Sequence, residues 1–332
     1  MNILLVKPGA EQFSVDECTL HGIDAVSNIS GIVTAGSSDI TSQKLCFPFW
    51  GINNVTEIDC SGNVKIHDAI CNWFCDQIRN TRIDTPWPLF FLTKSENGFT
   101  PDLSRQERIK DLLKKRISRI AKLADWNYPK VDIPMDGLFA VDVKEYNKVY
   151  ISRNAVFGGQ RRMKDDPQAP SRSYLKVEEA FAIMGQSPKE GDIVADLGAA
   201  PGGWTWAALK RGATVYAIDN GPLKKGPLDH PNVIHLKTDA YTWIPPHQPV
   251  DWLFCDMVDH PFQVYERIKI WFEQKWFKNA VINFKYGYSD PVKVLELLHS
   301  SSGILRYTDS FVCKHLFHDR DEITVCVFGS SK

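Results

Sequence analysis

An α/β sheet with helices on both faces is predicted for the C-terminal half of the chain, on three observations. Between residues 192 and 328, strand-like and helix-like stretches alternate. A glycine-rich turn, Gly198-Ala199-Ala200-Pro201-Gly202-Gly203, joins the first of these strands to a helix, and the next strand ends in an acid, Asp219. The last two strands are separated by only a loop, so they should pair antiparallel at the end of an otherwise parallel sheet. Strand, glycine-rich turn, helix and strand-ending acid together make a nucleotide-type βαβ unit. In such units glycines let the backbone approach a ligand and the acid meets ribose hydroxyls.

A chain of 332 residues is long enough for two or three domains with their own cores. Its 43% hydrophobic and 24% charged content suits a soluble globular protein. No apolar run approaches the roughly 20 residues that a membrane span needs. Met1 to Gly9 reads as a strand and turn rather than a signal peptide. The eight cysteines include no Cys-x-x-Cys pair. Cys71 and Cys75, four apart on a probable helix, suit reduced thiols better than disulfides or zinc. A cytoplasmic protein without membrane or metal partners is expected. The net charge of −1 gives no global basic bias, so any nucleic-acid site must arise from local clustering.

In chain order, residues 1–85 read as a small α+β domain. From Val64 to Arg79, Ile66, Ile70, Trp73, Phe74 and Ile78 fall on one helical stripe. Asp84-Thr85-Pro86-Trp87-Pro88 is a natural break, because each proline pushes its predecessor toward extended backbone. A second domain is expected over 86–165. It opens with the buried strand Leu89-Phe90-Phe91-Leu92. Ser104-Arg105-Gln106-Glu107 has the form of a capping box with Ser104 as N-cap. The helix after it is the most basic segment of the chain. Lys114, Lys115, Arg116 and Arg119 either form a solvated face or contact phosphates. Leu138–Val143 and Lys148–Arg153 form a hairpin across Glu145-Tyr146-Asn147, and 164–171 reads as a linker.

The third domain, 166–332, starts with a helix for which Ser173 is a plausible N-cap. Strands follow near 192–197, 213–218, 232–236, 250–256, 279–284, 306–313 and 322–328. Helices are expected around 264–277 and 292–301. Ligands bind at the carboxyl ends of parallel strands, where Asp196, Asp219, Asp239, Asp256 and Lys285 fall. Glu322 opens the antiparallel last strand and so returns to that edge. Lys176, early in its helix, can return there too.

Asp196-Leu197-Gly198-x-x-Pro201-Gly202-Gly203-Trp204 resembles motif I of the FtsJ/RrmJ-type S-adenosylmethionine-dependent ribose 2′-O-methyltransferases. Ala169–Phe181, Phe254-Cys255-Asp256-Met257-Val258 and His318–Val325 narrow the resemblance to the RlmM-type enzymes of that family, which act on a cytidine of 23S ribosomal RNA. The likeness runs from about Pro170 to Phe328 and is diffuse before that. It implies a Rossmann-like seven-stranded methyltransferase sheet, preceded by an α+β region with a THUMP-like RNA-binding module. It also implies S-adenosylmethionine as cofactor and large-subunit ribosomal RNA as partner.

By the same resemblance, Lys176, Asp256, Lys285 and Glu322 match the family's Lys-Asp-Lys-Glu tetrad. Lys285 would be the base and Lys176 the partner cation, held by Asp256 and Glu322. Gly198, Ala200, Pro201, Gly202 and Gly203 would face the methionine part of the cofactor, with Ser173 above it. Asp219 would take the ribose hydroxyls, Asp239 the adenine edge, and Asp256 would border both cofactor and substrate. A lysine base near neutral pH needs burial or a neighbouring cation to disfavour its charged form.

Competing readings are weaker. A nicotinamide dehydrogenase lacks the expected Gly-x-Gly-x-x-Gly turn, and Pro201 disfavours a pyrophosphate cradle. A non-catalytic RNA-binding paralogue leaves the intact tetrad without a use. Cys255 reads as strand core, and His315 and His318 as exposed or loop-lining.

Overall fold

The computed structural model describes residues 1–329, apart from 37–39, 41–43, 63–64, 288 and 309. The chain divides into two units, Met1–Gly159 and Gln160–Lys332. Among the described residues, no helix is long and apolar enough to cross a membrane.

The first unit runs β1 (Asn2–Leu5), α1 (Glu11–Leu20), β2 (Ala25–Ile29), β3 (Ile32–Ala35), β4 (Trp50–Asn53), β5 (Thr56–Asp59) and α2 (Ile66–Gln77). It continues with β6 (Trp87–Ser95), β7 (Gly98–Pro101), α3 (Leu103–Ala121), β8 (Ala124–Asp125), β9 (Met135–Val143) and β10 (Lys148–Phe157). One sheet takes up all these strands: β10 pairs with β9 on one side and with β4 and β5 on the other. The hairpin turn lies where the sequence places it, with Val143 opposite Lys148 and Asn147 at φ +50°.

Two of this unit's apolar clusters, among the described residues, pack its helices. One gathers Leu4, Val6, Cys18 and Val33. The other gathers Ile70 and Phe74 of α2 with Leu89, Phe91, Ile109, Leu113, Leu138 and Ile151. The predicted stripe of α2 is therefore buried, but against the segment after residue 86. The expected division at 85 does not coincide with a division between cores. Val64, where that helix was expected to begin, lies outside the described residues.

Helix α3 begins two residues earlier than the capping box implies. Asp102 is the N-cap, and its carboxylate accepts the Arg105 N–H at 3.1 Å, the third residue of the helix. Ser104 and Glu107 lie inside the helix. Much of the basic face already has anionic partners. Lys114 pairs with Asp111 at 2.7 Å, Arg116 with Asp68 at 3.3 Å and Arg119 with Asp84 at 2.5 Å. Arg108, Lys115 and Lys122 are exposed and carry no ion pair among the described residues.

The second unit runs α4 (Tyr174–Met184), β11 (Ile193–Leu197), α5 (Gly203–Leu209), β12 (Thr214–Ile218), β13 (Val233–Leu236) and β14 (Val250–Cys255). Then come α6 (Pro261–Glu273), β15 (Phe277–Lys285), α7 (Pro291–His299), β16 (Phe311–Lys314) and β17 (Glu322–Val327). The described strands form a seven-stranded sheet in the order β13-β12-β11-β14-β15-β17-β16. Strands β11 to β15 pair parallel with one another, and β17 runs against both β15 and β16. Val177 and Phe181 of α4 and Trp204 and Ala207 of α5 pack on Val194, Val215, Trp252, Phe254 and Val281. These strand residues fall on one face by the two-residue period.

Two stretches differ from expectation. The strand predicted over 306–313 is a 3-10 turn at Ile304–Tyr307 followed by β16. The Thr308 hydroxyl meets both the N–H and the carbonyl of Ser310 at 3.2 Å, which turns the backbone out of the ladder. The expected linker is also fastened down. Asp166 accepts from Trp206 Nε1 and Lys210 Nζ, each at 3.1 Å, and Lys225 donates to the carbonyls of Pro167 and Ala169. The Met163 N–H donates to His318 Nε2 at 2.9 Å. This stretch belongs to the second unit.

Candidate active site

Parallel pairing brings the ends of β11, β12, β14 and β15 to one edge of the sheet, and the antiparallel β17 starts there, with Glu322 directly opposite Lys285. Asp256 follows β14, and its N–H is held by the Leu197 carbonyl at 3.1 Å. Lys176 sits in the first turn of α4.

These four side chains meet. Lys176 Nζ lies 2.5 Å from Glu322 Oε2 and 4.0 Å from Asp256 Oδ1. Lys285 Nζ donates to Asp256 Oδ1 and lies 3.9 Å from Glu322 Oε1. It also contacts the Asp256 carbonyl at 3.3 Å and Asn283 Oδ1 at 3.1 Å. Side-chain exposure across the quartet is only 11–18%, so its charges interact through little water. Two cations and two carboxylates balance.

Burial would lower the Lys176 pKa, but the charges of Asp256, Asp319 and Glu322 outweigh it and hold the lysine above the ordinary range. Burial likewise opposes ionisation of Glu322, and Lys176 and Lys285 overcome it, holding this carboxyl below its usual value. Lys176 is thus a fixed cation and Glu322 a fixed anion at neutral pH.

Beside the quartet lies the glycine-rich turn. Gly198 has φ +78°, and a Cβ there would come within 2.9 Å of Met257 Cα, on the segment carrying Asp256. Gly203 is required by closeness alone, since a Cβ would collide with Ser173 Oγ. Ala200 and Pro201 lie between these glycines, joined by a cis peptide, and the Pro201 carbonyl accepts the Lys224 N–H at 3.0 Å. At Gly202 the φ is +108°. Asp219 closes the turn by accepting the N–H groups of Ala200 at 3.0 Å and Gly221 at 2.7 Å. Each of its oxygens keeps capacity for another donor. Ser173 occupies the N-cap position of α4 without capping it. Its hydroxyl meets Ser171 Oγ at 2.7 Å, and its carbonyl accepts Trp204 Nε1 at 3.0 Å. Asp239 is exposed in its turn and accepts the Tyr241 N–H at 2.9 Å.

Several residues that shape this edge had no role assigned from sequence. Asp196 is fully buried; one oxygen accepts the Thr205 hydroxyl at 2.6 Å, and the other, Oδ1, has no hydrogen-bond partner among the described residues. Burial pushes its carboxyl up to about 7. Glu179 of α4 is also fully buried and accepts the N–H groups of Arg161, Phe317 and His318 at 2.8–3.1 Å. It fixes the loop that leads to Glu322. Asn283, Thr324 and Asp319 complete the surroundings of Lys285. Position was the available signal: Asn283 and Thr324 each lie two residues from a quartet member on the same strand, and hence on the same face.

Cys255 is fully buried, and burial pushes its thiol up to about 12, as a packing residue requires. His315 differs from its expected exposed or loop-lining place. It is 1% exposed, and Nδ1 donates to the Glu322 carbonyl at 2.8 Å.

Comparison with known proteins agrees with this geometry. The FtsJ-like methyltransferase family model matches residues 169–325, a range that contains the whole quartet and the glycine-rich turn. "Ribosomal RNA large subunit methyltransferase M" of Laribacter hongkongensis is 44% identical over 180 residues, covering 50% of each chain. The protein of that name from Marinomonas sp. is 40% identical over 179 residues, 51% of each. The one from Shewanella halifaxensis is 34% identical over 248 residues, 68% of each. The match to the first of these spans about half of that relative's length. Solved structures give looser likenesses, such as a putative hemolysin from Streptococcus thermophilus at 19% identity and TM-score 0.40, covering 53% of this chain and 71% of that one.

Sheet order, glycine-rich turn and family model together define an FtsJ-like methyltransferase domain. The chain belongs to the ribosomal RNA large subunit methyltransferase M family.

Proposed function

We propose that the protein is an S-adenosylmethionine-dependent ribose 2′-O-methyltransferase whose substrate is a cytidine of 23S ribosomal RNA, and that it works in the cytoplasm. The observation that carries this reading is the convergence of Lys176, Asp256, Lys285 and Glu322 at one sheet edge beside the glycine-rich turn. A non-catalytic RNA-binding paralogue would have no use for two buried lysines interlocked with two acids.

The residues present fit the cofactor. Asp196 Oδ1 is a buried acceptor without a partner, suited to an ammonium group. Asp219 would take the ribose hydroxyls, Asp239 the adenine edge and Ser173 the methionine part. The bare Cα positions of Gly198, Gly202 and Gly203, with Ala200 and Pro201 between them, let a ligand lie against the backbone. S-adenosylmethionine supplies, when bound, a methyl group activated for transfer to a nucleophile.

The chain's own part is to orient the 2′-hydroxyl and take its proton. Lys285 would be the base: its amine would take the proton of the 2′-hydroxyl as the methyl group passes to that oxygen, while the C–S bonding electrons stay on the cofactor sulfur, which leaves as a neutral thioether. Lys176 stays charged, pairs with Glu322 and favours the developing negative oxygen. Asp256 holds Lys285 from one side, and Glu322 keeps the two lysines at a fixed spacing.

Calorimetry separates this reading from a dinucleotide enzyme. S-adenosylmethionine should bind and NAD should not, and Asp219→Ala should weaken the first while leaving RNA affinity as it was. Heat from NAD alone would discard the assignment. Mapping 2′-O-methyl marks in ribosomal RNA with and without the gene identifies the nucleotide.

Within the first unit, the segment from residue 86 to Phe157, which shares its core with α2, is proposed as a THUMP-like RNA-binding module with α3 as its phosphate-contacting element. Lys114, Arg116 and Arg119 are held in exposed ion pairs, which are individually weak and can be exchanged for phosphates. Changing these three and Lys115 to Gln should weaken RNA binding and reduce the slope of log K against log salt. The expected decrease is roughly 0.7–0.9 for each phosphate no longer neutralised. An unchanged slope would leave α3 a solvated face.

A further inference from the structure

Behind Lys285 lies a buried hydrogen-bonded cluster that the four-residue reading does not use. Asn283 precedes Lys285 by two residues on β15 and stands opposite Thr324 of β17, one same-face rung below the Lys285–Glu322 pair. Asn283, Thr324 and Asp319 are each fully buried. Asn283 Oδ1 accepts from Lys285 Nζ at 3.1 Å. On the other end of the amide, Nδ2 donates to Thr324 Oγ1 at 3.0 Å and to Asp319 Oδ1 at 3.3 Å. The Thr324 hydroxyl donates in turn to Asp319 Oδ2 at 3.0 Å, and the Leu316 N–H donates to that same oxygen at 2.9 Å.

The direction of this amide matters. Flipped, it would aim N–H groups at the Lys285 amine and set its oxygen against the Asp319 carboxylate, leaving buried groups mispaired at a cost of about 1–3 kcal/mol each. Asp319 and Thr324 both select the other orientation, so the lysine always meets an acceptor. A lysine side chain is a flexible four-carbon stem with a freely rotating head. Asp256 holds its nitrogen through both the carboxylate and the main-chain carbonyl, and Asn283 Oδ1 adds a third acceptor from a different strand. With these three acceptors around it, the head of the side chain is held from turning. On losing one proton the amine keeps its bonds to the Asp256 carboxylate and to Asn283, so its lone pair can form only in the directions these partners leave.

The geometry points to Asn283, oriented by Asp319 and Thr324, as a positioning residue that aims the Lys285 lone pair for proton abstraction. This inference rests on the reading of Lys285 as base. Two measurements keep failure of one apart from failure of the other. Trace labelling with acetic anhydride, read by mass spectrometry on the peptide containing Lys285, reports the freedom of that amine without any RNA. Single-turnover methyl transfer reports the chemistry.

Asn283→Ala should raise Lys285 labelling severalfold and slow transfer on the order of 10- to 100-fold. Cofactor affinity and KM for RNA should stay near wild type. Thr324→Val, which keeps shape and removes the hydroxyl, should move both readouts in the same direction, and Thr324→Ser should restore them. Unchanged labelling in Asn283→Ala, or a Thr324→Ser variant as impaired as Thr324→Val, overturns the inference. Wild type that transfers no methyl group to RNA, while Asn283→Ala still frees the amine, would overturn the catalytic reading and keep the positioning one.

Discussion

Lys285→Met should lose methyl transfer by roughly 10²–10⁴-fold, the range a positioned general base contributes, while S-adenosylmethionine binding persists. The asymmetry follows from where the side chain ends. Lys285 Nζ is bonded to Asp256 and Asn283, neither of which belongs to the glycine-rich turn. Methionine keeps the stem's length and packing and removes only the nitrogen. Asp256 then loses one of its two lysine partners, and Glu322 is left with Lys176. Breaking a buried pair from one side typically costs about 3–5 kcal/mol. At 15–18% side-chain exposure the penalty here should be smaller, because water reaches the freed carboxylate. The variant should therefore fold, with a modestly lower thermal midpoint. Single-turnover transfer alongside calorimetry with the cofactor checks both halves. Near-normal transfer would place the base elsewhere.

Much of the second unit was legible in the sequence, for physical reasons that differ from place to place. Parallel strands buried on both faces must be short apolar runs, so strands near 192–197, 250–256 and 279–284 stood out, the last of which begins two residues earlier, at Phe277. The turn after β11 admits only residues without side chains at Gly198 and Gly203, and that need is written directly as glycine. Lys285 and Glu322 could be placed together because an antiparallel last strand starts where its neighbour ends. Contacts made across long chain separations were not legible. Asp196 could be placed at the ligand edge but not given its bare oxygen, and Glu179 read as an ordinary acid, because nothing local shows that it gathers three N–H groups from elsewhere.

The first unit shows the opposite limit. Its strands and helices could be recognised one by one, since periodicity is a local property. Which core each would join could not. The stripe of α2 is equally apolar whichever sheet face it meets, and it packs with Leu89, Phe91 and Ile109 rather than with Leu4 and Val33. The start of α3 misled for a related reason. Both Asp102 and Ser104 are good caps, and the choice between them depends on where the Phe91 carbonyl holds the incoming chain, by accepting the Asp102 N–H at 2.8 Å.

Lys176→Met should also be severe, and its pH dependence distinguishes partner from base. Lys176 is held above the ordinary lysine range, chiefly by Asp256, Asp319 and Glu322 against the pull of burial, so it keeps its proton from pH 6 to 10. Glu322, held below the ordinary range, is ionised throughout the same interval. Neither can supply a rise in rate with pH in that window. Removing Lys176 takes a fixed positive charge from beside Lys285 and releases Glu322 and Asp256 to act on Lys285 alone. Both changes favour the protonated form of the remaining lysine. The sign is therefore set: residual transfer by Lys176→Met should develop at higher pH than in wild type. The drop near neutral pH should be largest, and part of the rate should return by pH 10. Single-turnover transfer across pH 6 to 10 measures the shift, with a cofactor titration at each end to show that binding is not the variable. A profile displaced toward lower pH would mean either that the roles of the two lysines are exchanged or that burial, which disfavours a charged lysine, outweighs the neighbouring charges.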